Sequence, residues 1–325
     1  MREIEYREAI REAITEEMDR DKKVFLIGED IGVYGGAFKV YKGLLDKYGP
    51  GRVINTPISE AAIIGTAIGA ALTGYRPIAE IMFIDFTALA MDQIANQAAK
   101  IHFMSGGSID VPLVIRTQGG VGKGLSAQHS QSLESWFYHI PGLKVVMPST
   151  ANDAKGLLKT AVRDNSPVIF IEHKMIYPVK GPVAEKEYTI PFGKADIKRK
   201  GNDVTVFAYA NMVLKSLEAA EELERDGVDC EVIDPRTLVP LDINTIIDSV
   251  KKTGRLVVVS EACRRGSIAS DISAIVTEKA FGYLKAPVKI VAGLNTPIPY
   301  NLALEQASIP QKADILEAVK TIIKK

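Results

Sequence analysis

The sequence predicts an α/β fold of two doubly wound domains. Three observations carry that expectation: short apolar runs alternate with helix-length stretches, the alternation lapses once near the middle, and it then begins afresh. With 325 residues the chain also exceeds what one hydrophobic core ordinarily serves, so length alone asks for two domains.

The first cycle opens with Ile10, Ile14 and Met18 on one helical face, followed by the apolar run Val24 to Ile27, which predicts a helix feeding a strand. Similar runs recur at Ile78 to Met82, Pro112 to Ile115, Lys144 to Met147 and Val168 to Ile171, with helical stretches at Phe86 to Phe103 and Thr150 to Val162. Strands separated by helices imply a parallel sheet. From Lys174 to Asn202 the pattern lapses around Pro178, Gly181, Pro182, Pro191 and Gly193, so a first domain is expected over 1–176, a linker over 177–202 and a second domain over 203–325. The second cycle reads strand Val204 to Ala208, helix Val213 to Arg225 closed by Gly227, strand Cys230 to Ile233 and helix Ile243 to Lys252. Strand Leu256 to Val259, helix Ile268 to Phe281 and a last helix over Lys312 to Ile323 complete it.

The chain is 46% apolar and 25% charged, with Lys+Arg and Asp+Glu balanced at 40 each, the profile of an ordinary globular protein. No basic run with interleaved aromatics recommends nucleic acid, and Lys324 and Lys325 read as a solvated helix end. Cys230 and Cys263 have neither C-x-x-C spacing nor a nearby His pair, so a zinc site or disulfide framework has no support and a reducing compartment fits. The first residues mix acids and bases (Arg2, Glu3, Glu5, Arg7, Glu8), and no apolar run reaches spanning length; a cytoplasmic protein is expected.

Chemistry concentrates in two places. Thr56-Pro57-Ile58-Ser59-Glu60 precedes the apolar run Ala61 to Leu72, which Gly74 closes. This predicts a helix with Ser59 as N-cap and Glu60 in the first turn, while Gly65, Gly69 and the alanines let neighbouring backbone approach on several sides. The helix macrodipole explains a first-turn acid by itself, at about 0.3–1 kcal/mol. The functional reading is a carboxyl held at an apolar wall, its pKa raised above the reference of about 4.3 so that it exchanges a proton near neutral pH.

The second place is Gly119-Gly120-Val121-Gly122-Lys123-Gly124, leading to Ala127-Gln128-His129-Ser130-Gln131. It sets His129 at a strand's carboxyl end, where open α/β sheets bind ligands; the bland alternative is a solvated loop histidine. A Walker A match would need Gly where Thr117 stands and Ser or Thr where Gly124 stands, and it fails on both. Gly122 to Ala127 meets the loose G-x-G-x-x-A pattern but lies several residues past its strand, with no acid closing a second strand at the expected distance. A dinucleotide-binding enzyme is therefore the minor alternative.

Several ordered blocks resemble the β subunit of the thiamine-diphosphate-dependent 2-oxo acid dehydrogenases, in the transketolase-like superfamily. They are Gly28-Glu29-Asp30, Thr56 to Glu60, Asp92-Gln93-Ile94, Met104 to Gly107, Gln128 to Gln131, Pro141 to Val146, Asp153 to Leu157, Val232 to Thr237 and Thr296 to Pro299. The resemblance implies a pyrimidine-binding domain followed by a transketolase C-terminal-like domain. It implies that Glu60 hydrogen-bonds N1′ of the thiamine aminopyrimidine, so that the 4′-imino group can take the C2 proton, and that Ile58, Met82 and Phe86 contact the cofactor. As plain sequence those three read as core. His129 aligns with a histidine that assists acyl transfer to a lipoyl disulfide, where a developing thiolate needs a proton. Leu113, Ala161 and Asp164 fall where some members bind potassium through main-chain carbonyls.

In that family the α subunit holds diphosphate and magnesium through a Gly-Asp-Gly sequence, which this chain lacks. The resemblance thus implies an α2β2 heterotetramer serving a lipoylated acyltransferase core through its subunit-binding domain. The implied activity is that of an oxidoreductase subunit acting on pyruvate, a branched-chain 2-oxo acid or acetoin. A non-catalytic assembly subunit of the same fold competes with it, and the presence of both Glu60 and His129 argues against that alternative.

Overall fold

The computed structural model describes residues 1–323; Lys324 and Lys325, expected as a solvated helix end, lie outside them. The chain divides into unit 1, Met1–Gly119 with Trp136–Phe192, and unit 2, Gly120–Ser135 with Gly193–Lys325.

Unit 1 begins with β1 (Arg2–Glu5) and α1 (Tyr6–Arg20), whose start is fixed by a capping box between Glu5 and Glu8. The buried face of α1 contains the predicted Ile10, Ile14 and Met18. There follow β2 (Val24–Glu29), α2 (Leu44–Tyr48), β3 (Val53–Thr56), α3 (Glu60–Leu72), β4 (Arg76–Ile81), α4 (Ile101–Met104) and β5 (Val114–Gly119). Then come α5 (Glu134–Tyr138), which spans the division, β6 (Lys144–Val146), α6 (Ala151–Arg163), β7 (Val168–His173) and β8 (Lys180–Val183). Six strands bond in the order β6-β7-β5-β4-β2-β3, all parallel, while β1 and β8 form a separate antiparallel pair. Every residue of β5 and β7 is buried, as strands covered on both faces must be; their first residues, Val114–Ile115 and Val168–Ile171, form the apolar runs seen in the sequence, while Arg116 and Glu172 farther along are buried charges. Helices α1 and α6 pack together across a charged seam in which the buried Lys155 and Lys159 pair with Glu12, Glu16 and the exposed Glu187.

The stretch expected as one helix over Phe86 to Phe103 is instead a 3₁₀ segment, Ile84–Ala90, a π-helical segment, Asp92–Ala98, and then α4. The buried Ile84, Thr87, Ala90, Ile94 and Ala98 keep the three- and four-residue spacing of one helical face through the change of helix type, so the apolar pattern alone reads as a single helix.

Unit 2 holds β9 (Asp196–Arg199), β10 (Val204–Ala208), α7 (Asn211–Arg225), β11 (Cys230–Asp234), β12 (Thr237–Val239) and α8 (Ile243–Thr253). After them come β13 (Leu256–Cys263), α9 (Ile268–Ala280), β14 (Lys289–Gly293), α10 (Leu302–Ala307) and α11 (Lys312–Ile323). Its sheet runs β14-β13-β10-β11-β9, parallel except for β9. Val206, Val232 and Val257 from its strands close a core with Val213, Leu223, Ile315 and Val319 from α7 and α11. Caps mark helix ends as the turn chemistry demands: Asp242 accepts the Thr245 amide before α8, and Gly254 follows it at φ +75°.

The segment 177–202, read from sequence as a linker, carries β8 in unit 1 and β9 in unit 2, with the division between Phe192 and Gly193. Its prolines and glycines punctuate strands rather than replace them. Pro182 sits inside β8, which tolerates it because each member of a two-stranded pair is an edge.

The interior of unit 1 contains a full charge. Arg116 on β5 has no exposed side-chain surface; its Nε and Nη2 donate to the two oxygens of Glu172 on β7, each at 2.6 Å, and its Nη1 donates to Glu80 on β4 at 2.8 Å and to the Tyr41 hydroxyl. Tyr41 donates to Glu80 at 2.8 Å and Tyr177 to Glu172 at 2.6 Å. Burial, with Glu172 nearby, outweighs the pull of Arg116 and raises the Glu80 carboxyl above its ordinary range. Arg116→Met is expected to cost about 3–5 kcal/mol, because it strands two buried carboxylates. Glu80→Gln is expected to cost less than half of that, since the bidentate Arg116–Glu172 pair stays balanced. Urea unfolding midpoints of the two variants check this; equal losses would show that Glu80 is as necessary as Arg116.

Candidate active site

The carboxyl ends of three neighbouring parallel strands lie side by side, because β2 pairs with both β3 and β4: Glu29 stands opposite Thr56, and Gly28 opposite Glu80. Beyond β3 the chain turns through Pro57 into α3, and beyond β4 Met82 leads to the 3₁₀ segment that carries Phe86. Helix α3, which Glu60 opens, packs against β4 and against both irregular helical segments, the first of which carries Phe86. This is the edge at which parallel α/β sheets bind ligands.

Glu60 is the first residue of α3 and is buried. Ser59 stands at the N-cap but its side chain makes no cap hydrogen bond, contrary to expectation; its ψ of 84° departs from the extended backbone that aims a capping hydroxyl at the first-turn amides. Met82 and Phe86 are half-buried, and Ile58 is 71% exposed, so the plain reading of these three as core fails. A buried carboxylate on a helix whose packing partner carries the half-buried Phe86 has the chemistry that a planar, weakly basic heterocycle such as an aminopyrimidine would need. The expected close packing of α3 on several sides is also not met within the chain. Ala62, Gly65, Thr66 and Gly69 form an exposed face, and a Cβ added to Gly69 would meet nothing within 4 Å.

Glu29 belongs to this neighbourhood and was not singled out from sequence. Its carboxyl is raised above the ordinary value of 4.5 by burial and then by the negative charges of Asp30 and Glu60. The available signal was an apolar strand ending in two acids.

His129 lies in unit 2, half-buried, in a loop whose Gly120 amide donates to the Gln131 carbonyl at 3.0 Å. Its neighbours Gln128 and Ser130 help to line a cavity of about 490 Å³ with Glu261, Cys263, Asn295 and Thr296. The glycine-loop amides of Val121, Gly122 and Gly124 donate to Glu261 and Glu305, so internal carboxylates stand where a P-loop would hold phosphate. The thiol of Cys230 is buried and pushed up to about 12, chiefly by burial, which makes it inert.

Leu113 immediately precedes β5, Ala161 lies near the end of α6 and Asp164 follows that helix. The Leu113 carbonyl accepts the Val168 amide at 2.8 Å, the Ala161 carbonyl the Asp164 amide at 3.3 Å, and the Asp164 carbonyl Arg76 at 2.9 Å. The Asp164 carboxylate accepts Lys144 at 2.5 Å. Among the described residues no three His, Cys, Asp or Glu side chains stand where they could hold a metal ion, and no helix is long and apolar enough to cross a membrane.

The family model for the transketolase pyrimidine binding domain matches residues 2–180, and that for the transketolase C-terminal domain matches 193–315. A pyruvate dehydrogenase E1 component subunit beta of Rickettsia bellii is 49% identical, with 98% of each chain covered. The beta subunit of an acetoin:2,6-dichlorophenolindophenol oxidoreductase of Cupriavidus necator is 50% identical over 99% of this chain and 98% of its own. This chain belongs to the 2-oxo acid dehydrogenase β-subunit family. A solved split-gene transketolase, described as an inactive beta4 tetramer, shares the fold, with a TM-score of 0.81 at 24% identity over 99% of this chain and 98% of that one.

Within the family fold, Glu29 makes a pH-dependent prediction. A carboxyl raised in the folded state favours protonation there, so its charge destabilises the fold above its folded pKa and that penalty fades as pH falls through it. Glu29→Gln is therefore expected to raise Tm at pH 7 and to change it little below the ordinary carboxylate value of 4.5. Thermal melts of both proteins at the two pH values test this; a stabilisation that does not shrink on acidification would refute it.

Proposed function

We propose that this chain is the β subunit of a dehydrogenase that, with an α subunit, cleaves pyruvate, another 2-oxo acid or acetoin and passes the acyl group to the lipoyl groups of an acyltransferase. The observation that carries the reading is the buried Glu60 at the first turn of α3, a helix that packs against β4 and against the 3₁₀ segment that carries Phe86. Relatives named for pyruvate and for acetoin are similar to this chain to the same degree, so identity does not choose between the two.

Thiamine diphosphate, when bound, supplies the nucleophilic carbon for the substrate carbonyl and the sink for the electrons of C–C cleavage. Glu60 would hold a proton at N1′ of the aminopyrimidine, with Met82, Phe86 and the exposed Ile58 as the apolar contacts of that ring. The carboxyl of Glu29 is raised by burial first and then by the negative charges of Asp30 and Glu60, so its ionised form is disfavoured beside this site. In the acyl transfer a C–S bond forms to one lipoyl sulfur as the S–S bond breaks. The disulfide is thereby reduced, the substrate carbon is oxidised to the acyl level, and the second sulfur leaves as a thiolate that takes a proton from His129.

Diphosphate and magnesium would sit on the α subunit, since a hard divalent cation needs convergent oxygen ligands. Large apolar side chains exposed on unit 1, Val33, Leu89, Phe103 and Met104, together with the small-residue face of α3, support an α partner in an α2β2 assembly. The balanced composition supports a cytoplasmic setting. Potassium would bind the carbonyls of Leu113, Ala161 and Asp164, each of which has a lone pair beyond the hydrogen bond it accepts. If it does, exchanging potassium for choline is expected to lower the Tm of the assembly, and an unchanged Tm would remove the ion from the reading.

The decisive experiment mixes this chain with its α partner, thiamine diphosphate and magnesium, and follows dye reduction with pyruvate, branched-chain 2-oxo acids and acetoin in parallel. Turnover is expected only with both chains, and Glu60→Gln is expected to lower it roughly 100-fold or more in an assembly of unchanged size. Full activity of that variant would instead support the non-catalytic assembly subunit.

A further inference from the structure

Three amides of the glycine loop are taken by two carboxylates that lie far along the chain. Val121 N–H donates to Glu261 Oε1 at 2.7 Å, Gly122 N–H to Glu305 Oε1 at 3.1 Å, and Gly124 N–H to both Glu305 oxygens at 3.3 Å. Glu305 is fully buried on α10, whose start is fixed by Asn301 accepting the Ala303 and Leu304 amides. Gly122 and Gly124 adopt φ of +113° and +62°, and a Cβ on Gly124 would stand 3.1 Å from Leu302 Cδ2, so side chains are strained at both positions and crowded at the second.

Amides converging from such a backbone form an anion nest, and here the anion is the protein's own. The contact binds in both directions. A buried carboxylate without donors is costly, and so are buried amides without an acceptor. Further along the same loop is His129, whose own amide reaches back to the Ser126 carbonyl at 3.4 Å, and the loop base is closed by Gly120 and Gln131.

We propose that Glu305 is a positioning residue: it locks the glycine loop and so fixes His129 for proton donation to the departing lipoyl sulfur. The functional half of this statement rests on the role of His129 proposed above; the lock itself does not. Glu305 touches neither substrate nor cofactor in this role and acts through the loop backbone.

The test uses the α2β2 assembly with thiamine diphosphate and magnesium, carrying wild-type chain, Glu305→Gln or Glu305→Ala. Two quantities are read. One is backbone hydrogen exchange over residues 120–131. The other is the ratio of acyl transfer to a lipoylated acceptor over reduction of an artificial dye, which leaves no thiolate to protonate. Exchange at Gly122 and Gly124 is expected to quicken from wild type to Gln to Ala, and the ratio to fall by roughly 10- to 100-fold in the Ala variant, the scale of a misplaced catalytic group. Glu305→Gln keeps the shape and one acceptor oxygen, so it reports even if the Ala variant does not assemble. Exchange at wild-type rates in an assembled variant would overturn the lock. Faster exchange with an unmoved ratio, where His129→Ala itself lowers that ratio, would overturn the positioning role. If His129→Ala leaves the ratio unmoved, the role of His129 is what fails, and the exchange result alone decides the lock.

Discussion

A guanidinium in a dry interior is the constraint around which unit 1 is organised. Arg116 on β5 must have its donors met within the protein, and the groups that meet them come from β4, β7, the loop that carries Tyr41 and the segment that carries Tyr177. A parallel sheet specified only by apolar runs is open to register slips, since one Val or Ile packs much like another. A buried cation is not: a shift of β4 or β7 by one residue would turn Glu80 or Glu172 to the other face and leave Arg116 unpaired. The carboxyl end of β4 is therefore fixed just before Met82. The same cluster anchors the residues following β2 through Tyr41, so the strand ends that flank Glu60 are held by charge as well as by packing.

Unit 2 uses the same logic with the signs exchanged. There the buried groups are carboxylates, Glu261 at the end of β13 and Glu305 on α10, and the donors they satisfy are backbone amides of a glycine-rich loop. In both units a segment without regular hydrogen-bond partners of its own is tied down by a charged side chain distant in sequence. Loops at the carboxyl ends of strands carry chemistry because their backbone is free to vary, but that freedom has to be removed where a side chain must act at a fixed place. The internal charges remove it.

Most of the fold was legible in the sequence. Strands such as Val204–Ala208 and helices such as Lys312–Ile323 coincide with the expected elements because one periodicity runs through each of them. The stretch after β4 was misread because its buried positions keep one helical spacing across segments of different hydrogen-bond pattern, and the segment 177–202 because prolines at the edges of strands look locally the same as prolines in a linker. The site was legible in part. Glu60 could be placed at a helix start from its neighbours alone, but the packing of its helix against β4 and the 3₁₀ segment and the charge it exerts on Glu29 arise only in the folded sheet. Ile58, apolar and expected inside, is exposed in the turn before α3, which no local pattern reports.

The glycine loop shows why such motifs cannot be read without their long-range partners. Successive amides presented by glycines at positive φ create a site for negative charge whatever the source of that charge. With no carboxylate in reach, phosphate is the natural occupant, and the sequence of such a loop is then a fair guide to function. Here Glu305 reaches it from nearly two hundred residues away, and the same backbone physics yields a fixed loop instead of a ligand site. Two mismatches already argued against the Walker pattern from the sequence, yet a perfect match would have met the same carboxylate. What decides between the two outcomes is whether α10 delivers its acid to the nest, and that is a property of how unit 2 packs, not of the loop.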